Sequence, residues 1–177
     1  NTAKAGTFRI KSEGSVASGV RRIEAITGKA CLEDMEKNRA LIYSTCAQLK
    51  VKPGELVDKI HAQMDEIKNL KKTIELYRHK RNLMLDCLDK YMPEGVTWTR
   101  PDGGLFMLVT LPEGMNARDL FDIAIQENVA FIIGEVFFCD GGGQNTLRLN
   151  FSYVSDEKMI EGVKRLANAT KRLMGLK

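Results

Sequence analysis

The side chain best placed for chemistry is Arg148, in the middle of the apolar run Thr-Leu-Arg-Leu-Asn-Phe-Ser at 146–152. A guanidinium facing a pocket from such a strand suits bidentate capture of a carboxylate. On spacing alone, an arginine on the exposed face of a strand fits equally well. His61 and His79 are the only histidines. Five helical turns separate them, about 27 Å, so they cannot share a site and read as helix-surface residues, which removes His-centred triads and relays. Cysteines stand at 31, 46, 87 and 139 without a CxxC pair or a histidine at metal spacing, so neither a zinc site nor a disulfide framework is indicated. Cys31 and Cys46 fall on one helix, about 22 Å apart, beyond disulfide reach. Asp140-Gly-Gly-Gly-Gln-Asn145 is glycine-rich but lacks the Lys-Ser/Thr and following helix of a phosphate loop, and reads as a turn between strands. Between 68 and 81, Lys68, Lys71, Lys72, Arg78, Lys80 and Arg81 oppose Glu75 alone. That stretch reads first as a solvated helix face and second as a contact for a phosphate backbone.

The elements that would position these groups follow from periodicity. Thr7 to Glu13 alternates as a strand, with Gly14 expected to end it. Residues 15–27 lean to helix on the spacing of Val16, Val20 and Ile23, although Ile23, Ala25 and Thr27 also suit a strand. Lys29 to Lys50 carries a broad apolar helical stripe, and Pro53 opens the next helical turn. Positions 56, 60, 63, 67, 70, 74, 77, 81, 84, 88 and 91 alternate steps of four and three through mostly apolar residues. That heptad seam predicts one helix from about Glu55 to Met92, packed on its predecessor or on a second chain, and Pro93-Glu94-Gly95 ends it. Strands are expected at 96–99, 105–111, 129–133, 137–138 and 146–152, with a helix capped by Asn116 and a last one starting after Ser155. The fold class is therefore α+β: a small N-terminal β segment, a helical hairpin with one long shared helix, and a C-terminal, mostly antiparallel sheet with helices on one face.

The 177 residues allow one domain or two small ones, and 44% hydrophobic with 28% charged residues is a folding composition. Net charge is +4 overall, too mild to demand a polyanionic partner. Residues 1–76 hold 14 basic and 10 acidic side chains and residues 77–177 hold 13 of each, so the halves differ in character. No run reaches the ~18 apolar residues of a membrane span. The start, NTAKAGTFRI, lacks the apolar core of a secretory signal and reads as the middle of a domain, which points to the cytoplasm.

Two family resemblances enter through particular motifs. From Tyr77 onward, the TRPDGGLF turn, the AFIIGEVFF segment and NTLRLNFS resemble the small C-terminal domain of fold-type I pyridoxal-phosphate aminotransferases, in the aminoadipate, aromatic and branched-chain branch. The resemblance implies that Arg148 binds the substrate α-carboxylate. Ile133 departs from the pattern, since many relatives place proline before the glycine. Residues 1–76, above all SEGSVASGVRRIEAITG, resemble alanyl-tRNA synthetase: the end of its editing domain, then a helical hairpin. This second resemblance makes Arg21 to Thr27 a strand, against the spacing. A tRNA-binding reading would use Arg21 and Arg22 with the basic stretch 68–81, chiefly Lys68, Lys71 and Lys72.

The expectation is a chimera of two pieces, 1–76 and 77–177, joined inside one helix near Leu70 to Tyr77. In the aminotransferase family the cofactor lysine and the acid at its ring nitrogen come from the large domain. No lysine here stands in such a glycine-flanked loop, and Lys171 reads as solvent-facing. The metal ligands of editing lie ahead of residue 1 in the synthetase family, so no metal is expected. The chain alone is expected to catalyse neither reaction, to keep carboxylate recognition, and to pair as a homo-oligomer through the long helix. The alternatives are an aminotransferase piece needing a large domain in trans, with pyridoxal phosphate, and a tRNA-binding fragment.

Overall fold

The computed structural model describes residues 2–139 and 141–176. It divides into two compact units, the first ending at Lys68 and the second starting at Asn69. In the first, β1 (Phe8–Ala17) and β2 (Val20–Thr27) pair antiparallel, Phe8 opposite Thr27 and Ala17 opposite Val20. Gly14 does not end β1, contrary to expectation. It sits opposite Arg22 within the ladder, and the strand absorbs register shifts at Ile10/Ser12 and Ser15/Ala17. Ladder pairing outweighs the local cost of a glycine there. The helix suggested by spacing over 15–27 is likewise β ribbon, since Gly19 turns the chain at φ 76° and the two strands satisfy each other's backbone groups.

Helix α1 (Gly28–Leu49) follows at once, burying Cys31 and Cys46. Asp34 fastens it to β1, accepting from Arg9 Nη1 at 2.8 Å and Lys11 Nζ at 2.7 Å, with Asn38 Nδ2 at 3.2 Å. A 3-10 turn at Pro53–Glu55 leads into α2 (Leu56–Tyr91), which crosses the boundary between the units. Ile60, Ile67, Leu70 and Ile74 of its seam are exposed, whereas Met84 and Leu88 are buried in the core of the second unit.

The second unit is built on an antiparallel sheet in the order β3-β4-β6-β5. The strands are β3 (Thr97–Trp98), β4 (Phe106–Thr110), β5 (Ile132–Ile133) and β6 (Thr146–Asn150). Alternation sends Met107 and Val109 of β4 and Leu147 and Leu149 of β6 into the core, where each is nearly or wholly buried. There they meet α3 (Ala117–Gln126), α4 (Asp156–Leu173) and the end of α2, through Leu120, Val163, Leu166 and Leu88. Full burial of each such leucine contributes about 1.5–3 kcal/mol. Asn116 caps α3 by accepting from the Arg118 N–H, and Ser155 caps α4 by accepting from Lys158. Residues 137–138 form no strand: a 3-10 turn takes Gly134–Phe137 instead. Among the described residues no helix is long and apolar enough to cross a membrane.

The hydrogen bond from Lys11, with Arg9 close by, holds the Asp34 carboxyl below its ordinary value. Its contribution to stability is present above the unfolded carboxylate range and is lost as pH falls through the lowered value. Thermal melts at pH 7 and pH 3 should show that Asp34→Asn removes part of the acid sensitivity of the first unit.

Candidate functional site

Arg148 lies on the face of the sheet opposite the core, since Leu147 and Leu149 on either side of it point inward. Leu108 of β4 and Ile132 of β5 stand directly across from it. Phe106, two residues before Leu108, is its diagonal neighbour on the same face, close enough for an aromatic side chain to reach. The guanidinium carbon sits 4.2 Å from the Phe106 ring centroid and 4.3 Å from that of Phe137. Both rings thus lie within cation–π distance of the guanidinium, whose N–H groups point out in its own plane.

Phe137 reaches this position because the 3-10 turn is fixed at three points. Gly134 is buried against β6, where an added Cβ would stand 1.9 Å from Thr146 Oγ1. Arg118 donates through Nε at 3.1 Å and Nη2 at 2.9 Å to Glu135 Oε2. The Phe138 ring lies so close to Gly143, at φ 75°, that a Cβ there would meet it at 2.2 Å. Gly141 is also at positive φ, whereas Asp140 of the same glycine-rich segment lies outside the described residues. Ile133, the departure from the proline pattern, takes φ −62° and ψ 129°, the φ that a proline ring imposes.

Arg148 Nε is buried and, among the described residues, has no hydrogen-bond partner. A buried donor left unpaired costs free energy. Arg148 borders a cavity of about 670 Å³ whose other polar side chains are Asn150, Tyr153 and Lys158, with no carboxylate in its lining. A pyridoxal phosphate requires a lysine at its aldehyde and an acid at its ring nitrogen. With no acid and only the exposed Lys158 present, these residues fit the carboxylate of a substrate and do not fit the cofactor.

Next to the cavity, two α2 side chains that the sequence reading set aside hold the loop before α4. Lys80, buried, donates to the Val154 carbonyl, and His79 Nε2 is 2.7 Å from Asp156 Oδ2. Their type gave no sign of this, because the partner is a backbone carbonyl 74 residues away in one case and a helix-initial carboxylate in the other. Phe106 and Phe137 were expected only as strand residues; even spacing puts Phe106 on one face with Leu108, whereas Phe137 lies in a turn and carried no such signal.

Arg21 and Arg22, adjacent on β2, point to opposite faces of the ribbon. Arg21 Nε is engaged by Glu13 at 3.0 Å. Lys68, Lys71 and Lys72 share one face of α2, but the unit boundary falls between Lys68 and Lys71. The structure therefore does not gather these five residues within one unit. Lys171 is half-buried in the last turn of α4. Among the described residues no three His, Cys, Asp or Glu side chains form a group able to hold a metal ion.

With this geometry in hand, one family is shown and a second likeness accompanies it. The chain belongs to the aminotransferases of class I and II, whose family profile matches residues 25–166. It is 46% identical over 107 residues to an aromatic-amino-acid aminotransferase of Thermococcus litoralis, a match covering 60% of this chain and 26% of that protein. The α-aminoadipate aminotransferase of Thermus thermophilus, solved with N-(5'-phosphopyridoxyl)-L-leucine, superposes with a TM-score of 0.62 at 33% identity over 85% of this chain and 38% of that one. The chain thus spans about a quarter of the curated aminotransferase's length. It is also 38% identical over 124 residues to an alanine–tRNA ligase of Clostridioides difficile, covering 70% of this chain and 13% of the ligase. Those two sequence matches, 60% and 70% of one chain, necessarily share residues.

Replacing Lys80 by Met keeps the packing of its stem but leaves the Val154 carbonyl without its donor. Urea unfolding should show a loss of about 1–3 kcal/mol.

Proposed function

We propose that the second unit is the substrate-carboxylate-binding domain of a class I and II aminotransferase, with Arg148 as the group that takes the α-carboxylate. The observation that carries this reading is a half-buried guanidinium, packed against the Phe106 and Phe137 rings, at the border of a cavity with no carboxylate in its lining. A carboxylate entering in the plane pairs with two parallel N–H groups, the geometry in which arginine exceeds lysine. The family match and the likeness to an enzyme solved with a leucine adduct support an amino acid as the carboxylate's source. On this reading the chain alone binds the carboxylate without transferring an amino group, because the cavity's own side chains offer no acid for the ring nitrogen of pyridoxal phosphate.

The reading extends to the whole chain as a join of two pieces, residues 1–76 akin to alanyl-tRNA synthetase and residues 77–177 akin to aminotransferases. Support comes from the chain's likeness both to an aromatic aminotransferase and to an alanine–tRNA ligase, matches that overlap along it. Source DNA read across codons 60–80 tests the join, and a single known parent gene covering the whole span would refute it.

Binding of L-leucine, followed by NMR titration, should weaken about tenfold or more in Arg148→Lys and vanish in Arg148→Gln, as expected for a charge-assisted pair. Equal affinity in all three proteins would sink the assignment. Turnover of an amino acid by the chain with pyridoxal phosphate and a 2-oxo acid, and no other protein, would overturn the non-catalytic part.

A further inference from the structure

Alternation sends Arg148 and Leu149 to opposite faces of the sheet, yet both border the same cavity. The cavity therefore passes around the edge of the sheet, where β5 is only two residues long, and reaches the helix side. There its wall is apolar, made by Met84, Phe131, Met159, Val163 and Leu166. Gly162, in the interior of α4, borders the same space, and a Cβ built on it would meet nothing within 4 Å. Glycine is a poor choice inside a helix, and no neighbour in the chain requires one here. Its missing side chain leaves room between α4 and the Val129–Ile132 segment.

We propose that this space holds an unbranched apolar tail of medium length, carried by the carboxylate whose head pairs with Arg148. The inference rests on the reading of Arg148 given above and adds the class of ligand: an amphiphilic monocarboxylate with its polar end at the cation. Charge is complementary at the head, where Arg148 borders the cavity and no carboxylate lines it. The tail replaces solvent along a wall of methionine, valine, leucine and phenylalanine side chains. A free fatty acid and a straight-chain amino acid share this chemistry.

NMR titration of the full chain with butyrate, hexanoate and octanoate, beside 2-aminooctanoate and octan-1-ol, tests it. Affinity should rise about fourfold per added methylene. Gly162→Leu should erase that gain while leaving butyrate binding intact and raising the unfolding midpoint slightly, since leucine is the better helix former. Gly162→Ala, which adds one methyl into open space, should erase part of it, so the test survives if the larger side chain upsets folding. Arg148→Gln should weaken every acid by a similar factor and leave the alcohol unchanged. Tighter binding of 2-aminooctanoate than of octanoate identifies an amino acid as the natural class, and the reverse order a free acid; either supports the tail site. Acids that bind through Arg148 with one affinity at all lengths overturn the tail site and leave the carboxylate reading standing. Length-dependent binding that ignores Arg148→Gln refutes the carboxylate reading, and with it the orientation proposed.

Discussion

An arginine half-buried in the middle of a sheet, with one of its N–H groups closed off from water and unpaired, is the constraint around which the second unit is arranged. Desolvating a guanidinium is costly unless its charge and its donors are met. Phe106 and Phe137 meet part of that cost through their ring faces, an interaction worth about 0.5–2 kcal/mol as solvent is withdrawn. They do nothing for the in-plane N–H groups. On the proposed reading of Arg148, the planar fork of its N–H groups favours a flat, bidentate anion over negative charge in general.

The remainder of the unit sets where that plane points. Phe106 reaches Arg148 because β4 and β6 are in register at Leu108 and Arg148, and a slip of one residue would turn every side chain of the strand over. Burial of Leu147 and Leu149 holds this register, so the core on one face determines the chemistry of the other. Phe137 depends on Gly134, on the Arg118 to Glu135 pair and on the seat of Phe138 over Gly143. A substituent of one carbon at Gly134 would push the turn off β6 and lift the second ring from the cation. Ile133 shows that backbone geometry, not ring chemistry, is what this corner requires, because it takes the φ of proline without being one.

Sequence alone made the strands and helices of this unit legible, since alternation and 3.6-residue periodicity are properties of neighbouring residues. It also isolated Arg148, an ion in an apolar strand. The two phenylalanines were invisible as partners because one belongs to another strand and the other to a turn that the apolar run Val-Phe-Phe disguised as a strand. Lys80 was hidden for a related reason: a lysine in a basic stretch looks solvated until its carbonyl acceptor, far along the chain, is known. In the first unit, Gly14 and the spacing of Val16, Val20 and Ile23 misled, because a two-stranded ribbon is stabilised by cross-strand pairing that no local window contains.

Helix α2 carries the same lesson further. Its apolar positions keep one phase from Leu56 to Tyr91, yet the burial along them changes: Ile60, Ile67, Leu70 and Ile74 are exposed, while Met84 and Leu88 are enclosed. A seam of that kind specifies a helix and the direction of its sticky face, but what covers the face is specified by other residues. From Met84 onward those are Val109, Leu147, Val163 and Leu166 in the core of the second unit. An unbroken heptad phase lets segments of different burial continue as one helix, because continuity asks only that each turn satisfy the next, so the stripe leaves one environment and enters another without any break in backbone hydrogen bonding.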